Sequence, residues 1–165
     1  MNIKPLDKKN IRQAIKLGLK TFPWAHKGDE PLALCLKASL KPDKYIDELK
    51  EMKISSLKYY VISDDSNIIG LTGLYSYAKD DTYWIGWTCV DESYRGKGLG
   101  KKLMRYIIRK SKRDEKRFLK LYTSNERSPI AVQMYKKLGF KLKSKSRIKI
   151  SKNNTYDRLV MELEL

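Results

Sequence analysis

The spacing of apolar positions changes along the chain, and each change marks an element. Over residues 7–21 they recur at Ile11, Ala14, Ile15 and Gly18, a helical stripe, with Leu6 placed to staple its start. A proline-bounded loop over 22–31 follows, then an apolar stretch at 32–40 that reads as helix. Another helix over 42–54 uses Tyr45, Ile46, Leu49 and Met52. The spacing then turns to strand. Residues 58–63 and 68–77 pair through a turn at Asp64, Asp65, Ser66 and Asn67, and a turn at 79–81 leads to a strand over 83–90. Helical spacing returns over 99–112, with Leu103, Met104, Ile107 and Ile108 inward and Lys101, Lys102, Arg105, Arg109 and Lys112 outward. A strand at 118–124 comes next, parallel to 83–90 because a helix separates the two.

Residues 128–140 spell a complete short helix. Ser128 is placed to cap it, and Pro129 takes the first position, where a missing N–H costs nothing. Ala131, Met134, Tyr135 and Leu138 share one face; Gly139 is the left-handed terminator and Phe140 closes behind it. Alternating segments at 141–150 and 159–165, joined by a polar loop at 151–157, end the chain as a hairpin. Helices, a meander, a crossover, a helix and a hairpin predict an α/β fold: a mixed, mostly antiparallel sheet with helices on both faces. The expected organisation is a single domain over 1–165.

The junction between strand 83–90 and helix 99–112 carries the chemistry. It reads Arg95-Gly96-Lys97-Gly98-Leu99-Gly100. Alternating glycines let backbone N–H groups converge without a Cβ in the way, and a helix N-terminus favours anions. This predicts a pyrophosphate cradle. The dinucleotide fingerprint has another glycine spacing and an acidic residue closing the next strand; strand 118–124 has none. A Walker loop needs a hydroxyl after its lysine, and Gly100-Lys101-Lys102 lacks it.

The pattern Arg95, Gly98, Gly100 resembles motif A of the GNAT superfamily of N-acetyltransferases, which binds the pyrophosphate of acetyl-coenzyme A. A second motif, Ala131, Tyr135, Gly139 and Phe140, resembles that family's downstream Ala-x-x-x-Tyr-x-x-x-Gly-Phe. The resemblance covers about residues 58–145. It implies a splay between the two parallel strands. It also implies that acetyl-coenzyme A is held by Arg95, Gly96, Lys97, Gly98, Leu99, Gly100 and Lys101, and that backbone N–H groups at Thr88, Cys89 and Val90 polarise the thioester carbonyl. Tyr135 is the implied acid for the departing thiolate. Where many members place Asn this chain has Ser128; Asn125, three residues earlier, is the substitute contact. The implied reaction is direct attack by a primary amine, from a small molecule or a protein, in a ternary complex.

The general base stays open. Members often carry a Glu on the strand before the loop, but residues 83–90 hold no carboxylate. Water, Asp29, Glu30, Asp80 and Asp81 are the alternatives. Cys89 reads as a small buried apolar residue and the single histidine, His26, as a loop residue. Trp24, Tyr75, Tyr77, Trp84 and Trp87 are candidates for an aromatic wall beside the acceptor. No Cys or His cluster has metal-ligand spacing, so no metal is expected.

Charge complicates the picture. The net charge is +17, and residues 91–165 hold 22 basic against 8 acidic residues. Such a field steers an anionic cofactor toward the loop. It also raises a competing reading, a basic nucleic-acid-associated module or a non-catalytic coenzyme A binder on the same fold. Nucleic acid is the less favoured partner, because lysines at 141–149 alternate with apolar residues as a solvated sheet face does. Two cysteines, no secretory signal and no apolar span fit a cytoplasmic protein, monomeric or homodimeric, with no membrane partner.

Overall fold

The computed structural model describes residues 1–25, 31–77, 80–151 and 154–165. His26, Asp29, Glu30 and Lys79 lie outside the described residues. The elements run β1 (Ile3–Pro5), α1 (Ile11–Thr21), α2 (Leu32–Leu40), a 3-10 turn (Pro42–Tyr45), α3 (Ile46–Glu51), β2 (Ile54–Asp64), β3 (Asn67–Tyr77), β4 (Thr82–Ile85) and β5 (Cys89–Val90). A 3-10 turn at Glu92–Tyr94 precedes α4 (Leu99–Arg113), β6 (Phe118–Thr123), α5 (Pro129–Lys137), β7 (Lys141–Ser151) and β8 (Asn154–Glu164).

One eight-stranded sheet takes the order β1-β2-β3-β4-β6-β8-β7, with β5 pairing β3 beside that path. Among the described residues only β4 and β6 pair in parallel; the other pairings are antiparallel. Helices cover both faces. Ala14 and Leu17 of α1 and Leu32, Cys35 and Leu36 of α2 pack with Tyr59, Val61 and Leu71. On the other face Met104 and Ile107 of α4 and Val132 and Tyr135 of α5 pack with Tyr60, Leu74, Ile85, Leu119, Leu121 and Met161. This is the mixed architecture the pattern predicts.

Four local expectations need correction. The first helix starts at Ile11, not residue 7, because Asp7 and Asn10 tie residues 7–10 into a turn. Asp7 Oδ1 accepts from the Lys9 and Asn10 N–H groups, and Asn10 Oδ1 accepts from Asp7 N–H. The stretch 42–54 is not one helix. It breaks at Lys53, whose φ of 59° is left-handed, and Ile54 opens β2. The hairpin strands reach Ser151 and resume at Asn154, so most of the expected loop is strand. The fourth correction is functional: 83–90 is not a continuous strand but β4 and β5 separated at Gly86, Trp87 and Thr88.

Candidate active site

The break at residues 86–88 is a built bulge. Leu74 faces Ile85 and Leu71 faces Cys89. Four steps on one strand therefore oppose three on the other, a one-residue insertion that bends a strand and re-aims its groups. Side chains hold it in place. Gly86 N–H donates to the Gly73 carbonyl at 2.9 Å, and Trp87 N–H reaches the Tyr59 phenol oxygen at 3.4 Å. The Thr88 and Thr72 hydroxyls lie 2.8 Å apart, and Thr88 Oγ1 donates to the Gly86 carbonyl. Glycine is required for this packing: a Cβ at Gly73 would stand 2.4 Å from Tyr59 Cε1, and one at Gly86 2.7 Å from the Tyr59 oxygen.

The bulge opens the sheet. β4 pairs β6 only from Thr82 to Trp84, whereas β5 pairs β3 and leaves the rest of β6 unmatched on that side. Asp91 N–H donates to the Ile69 carbonyl on β3. Strand alternation therefore turns Val90 N–H toward the opening and Cys89 N–H toward β3. The Cys89 thiol is buried, and burial pushes it up to about 12, so it stays protonated at neutral pH.

The glycine loop sits directly after β5 and is tied down on two sides. Asp91 Oδ1 accepts from Ser93 N–H and Oγ, and Lys20 of α1 bridges Asp91 and Glu92 at 3.5 and 2.9 Å. The Tyr94 hydroxyl donates to Asp64 at the end of β2. Gly96 and Gly98 both have positive φ, 78° and 76°, and a Cβ on either would meet nothing within 4 Å. The space above the loop is thus clear of protein, as a cradle for a phosphate group requires. Gly98 caps α4, leaving the N–H groups of Leu99, Gly100 and Lys101 without intrahelical acceptors. Arg95, Lys97 and Lys101 are exposed around this point, while Leu99 is buried against Ile62, Ile69 and Leu103 and anchors the loop from below. The residues fit a pyrophosphate.

α5 flanks the loop, since a Cβ at Gly100 would lie 3.5 Å from Met134 Sδ. Its C-terminus is a Schellman motif: Phe140 N–H reaches the Tyr135 carbonyl, Gly139 N–H reaches the Lys136 carbonyl, and Gly139 has φ 94°. The Tyr135 and Phe140 rings meet at 5.8 Å across it. Tyr135 is 8% exposed, and desolvation raises its phenol to about 12. Val132, absent from the expected inward face, is fully buried, whereas Ala131 and Leu138 are half-buried. Ser128 stands at the N-cap but makes no side-chain cap bond. Asn125 is exposed in the turn between β6 and α5.

The remaining candidates separate. Asp80 and Asp81 lie at the start of β4, the end remote from the bulge. Asp80 Oδ1 accepts from Thr82 N–H, and Asp81 pairs with Arg117. They staple β4 to the entrance of β6. The aromatic wall divides in two. Phe22 contacts Trp24 and Trp87 at 5.8 and 5.2 Å. Tyr75, Tyr77, Trp84 and Tyr122 form a second run, within which Tyr75 is core. Tyr59, which shapes the bulge, escaped sequence reasoning; glycines inside both facing strands, Gly73 and Gly86, were its visible trace. Among the described residues no group of acidic, His and Cys side chains could hold a metal, and no helix is long and apolar enough to cross a membrane.

Comparison with known proteins bears on the fold and the family. Solved structures share the fold across nearly the whole chain. A Streptococcus mutans protein is 23% identical with a TM-score of 0.74, covering 99% of both chains. A spermidine N-acetyltransferase SpeG chimera from Vibrio cholerae and hSSAT is 18% identical with a TM-score of 0.74, covering 99% of this chain and 96% of that one. The ribosomal-protein-S18-alanine N-acetyltransferase of Escherichia coli is 16% identical with a TM-score of 0.71, covering 99% and 92%. A search of curated protein sequences gives no significant match. The model of the acetyltransferase (GNAT) family matches residues 22–140, which contain the bulge, the glycine loop and Tyr135, and the chain belongs to that family.

Proposed function

We propose that this chain transfers the acetyl group of acetyl-coenzyme A to a primary amine by direct attack. The observation that carries the reading is the bulge at 86–88, which opens β4 from β6 immediately ahead of an anion cradle at the N-terminus of α4. The bound cosubstrate supplies an activated acetyl group. The N–H groups of Gly98, Leu99, Gly100 and Lys101, with Arg95 and Lys97, hold its pyrophosphate. Val90 N–H, at the open edge, donates to the carbonyl oxygen where negative charge develops; Thr88 and Cys89 hold that edge in register. Asn125 contacts the pantetheine arm. A C–N bond forms and the C–S bond breaks; the amine gives up one proton to water, the thiolate takes one from Tyr135, and the Tyr135 phenolate regains its proton from solvent.

The acceptor side carries its own argument. The Arg127 guanidinium lies 3.7 Å from the Tyr156 ring centroid and 5.4 Å from that of Trp24, and Arg158 lies 4.9 Å from that of Tyr122. We take Trp24, Tyr122 and Tyr156 as rings on the acceptor side, and these already carry arginines. The reading therefore disfavours polyamines and favours a singly charged amine or a protein amine. A free-thiol release assay over spermidine, amino acids, aminoglycosides and peptides tests both points. Release that depends on the amine, and is weakest with spermidine, is the expected result. No release above hydrolysis with any amine would reject the enzyme reading, and spermidine as best acceptor would reject the argument from occupied rings.

A further inference from the structure

The excess charge resolves into two very different surfaces. On the C-terminal hairpin and the adjoining β6, several cations are paired with carboxylates. Lys120 and Lys143 pair with Glu162, Lys145 pairs with Asp157, and Arg147 pairs with both Glu126 and Asp157. On α4 they are not. This helix carries seven basic and no acidic residues. Lys110 alone has a carboxylate partner here among the described ion pairs, Asp114, and Lys102 bonds a neutral carbonyl at Met1. At 100° per residue, Lys101, Lys102, Arg105, Arg109, Lys112 and Arg113 fall within one third of the helix circumference. That sector lies opposite the buried Leu103, Met104 and Ile107.

Two shallow grooves run along this ridge. One, of about 370 Å³, is lined by Gly98, Lys101, Lys102, Arg105 and Arg109 and continues the glycine loop. The other, of about 440 Å³, is lined by Tyr106, Arg109, Lys112 and Arg113 and lies at the far end of the helix. Lys112 is some 20 Å along the axis from Gly98 at 1.5 Å per residue, so the second groove is separate from the pyrophosphate cradle. It has what the first lacks, an aromatic wall. Tyr106 is fixed there by edge-to-face contact with Tyr60, ring centroids 5.0 Å apart.

We propose that the distal end of α4 binds single-stranded nucleic acid, with a base against Tyr106 and backbone phosphates on Arg109, Lys112 and Arg113. An aromatic ring beside unpaired cations is the arrangement that single strands occupy, because each base offers a face to stack and each linkage a charge. An acidic protein segment would use the cations and leave the ring without a role. Recognition is by charge and stacking, so it carries little sequence preference.

The test uses the full chain and a fluorescent oligouridylate of about 16 nucleotides, the upper site size of common single-strand folds. Anisotropy titrations over a range of NaCl concentrations should show binding whose log affinity falls linearly with log salt. Lys112→Gln/Arg113→Gln, at two exposed sites, should weaken binding at least tenfold. It should also flatten the salt slope by about 1.4, two contacts at about 0.7 each. Tyr106→Leu should lower affinity at least fivefold and leave the slope unchanged, with circular dichroism checking the fold. Saturating acetyl-coenzyme A should not displace the strand, and the double variant should keep its acetyl-coenzyme A affinity. The proposal is overturned by absence of binding at low salt or by an unaltered slope in the double variant. Displacement by the cosubstrate overturns it too, since the strand would then occupy the cradle; so does polyglutamate of equal length binding as tightly.

Discussion

In the proposed site Gly98 is a position that needs no side chain and Tyr135 one that needs a particular proton. At Gly98 a methyl group would meet no protein atom, but the φ of 76° is one that L-residues avoid at about 1–2 kcal/mol. Gly98→Ala should therefore cost about that much stability and leave a folded protein, while acetyl-coenzyme A affinity drops tenfold or more because the methyl stands where the phosphates approach. Isothermal titration decides it; wild-type affinity would remove the loop from the cofactor site. Tyr135 starts from a less favourable acid than an ordinary tyrosine. Burial keeps its phenol protonated throughout the neutral range and also reduces its drive to release the proton. Tyr135→Phe should then lower turnover at the small end of general-acid effects, about a hundredfold, with cosubstrate affinity unchanged. The same shift affects stability. A phenol raised to about 12 in the fold, against about 10 unfolded, contributes stability that is complete below pH 10 and disappears as pH rises through 12. Wild type should accordingly lose more stability between pH 10 and 12 than Tyr135→Phe does, as urea titrations at each pH would show. Equal losses would mean that the phenol is not buried in solution.

At the scale of elements, what could be read in the sequence follows from where its signals are local. The helix over 129–137 was legible from start to finish: proline at its first position, glycine past its end and an aromatic behind the glycine are all chain-local rules, and the Schellman motif obeys them. The glycine loop was legible for the same reason. The strand over 83–90 looked continuous because every residue in it favours strand or tolerates it, and a bulge depends on its partner. Only the pairing with β3 shows that Cys89 faces Leu71. The device that builds the opening, Tyr59 seated on Gly73 and Gly86, joins two strand positions and a break residue far apart in sequence and is invisible to periodicity. It makes a sharp expectation. Gly73→Ala forces the Tyr59 ring from its seat and should destabilise by about 1–3 kcal/mol, the usual cost of overpacking. For a chain of this size that is a fall of a few degrees in melting temperature, since each kcal/mol shifts it by about 2–4 °C. Gly73→Ala with Tyr59→Ala should not be additive, because the clash needs both groups. Additive losses would mean that the ring does not rest on Gly73.

Over the whole molecule, salt should act in opposite directions on folding and on encounter with the cosubstrate. The chain carries +17, concentrated in its second half, and α4 sets Lys101 against Arg105, Arg105 against Arg109 and Arg109 against Arg113 one turn apart. Like-charged pairs at that spacing cost about 0.2–0.5 kcal/mol each. The matched pairs on the hairpin work the other way, but most of the lysines and arginines in them are half exposed or more, and such pairs contribute about 0–1 kcal/mol and are themselves screened. Long-range repulsion extends furthest at low ionic strength, where the Debye length is about 30 Å at 0.01 M, and shrinks to about 10 Å at 0.1 M. Repulsion should therefore outweigh the pairs, and raising NaCl from 0.01 to 0.1 M should increase the melting temperature. Over the same interval the association rate of acetyl-coenzyme A should fall, because the field that strains the fold also draws the anion to the loop. Stopped-flow association and thermal melts in matched buffers read the two quantities. A melting temperature that falls with salt would assign the balance to the ion pairs of the hairpin. An association rate indifferent to salt would mean that the charge on α4 takes no part in bringing the cosubstrate in.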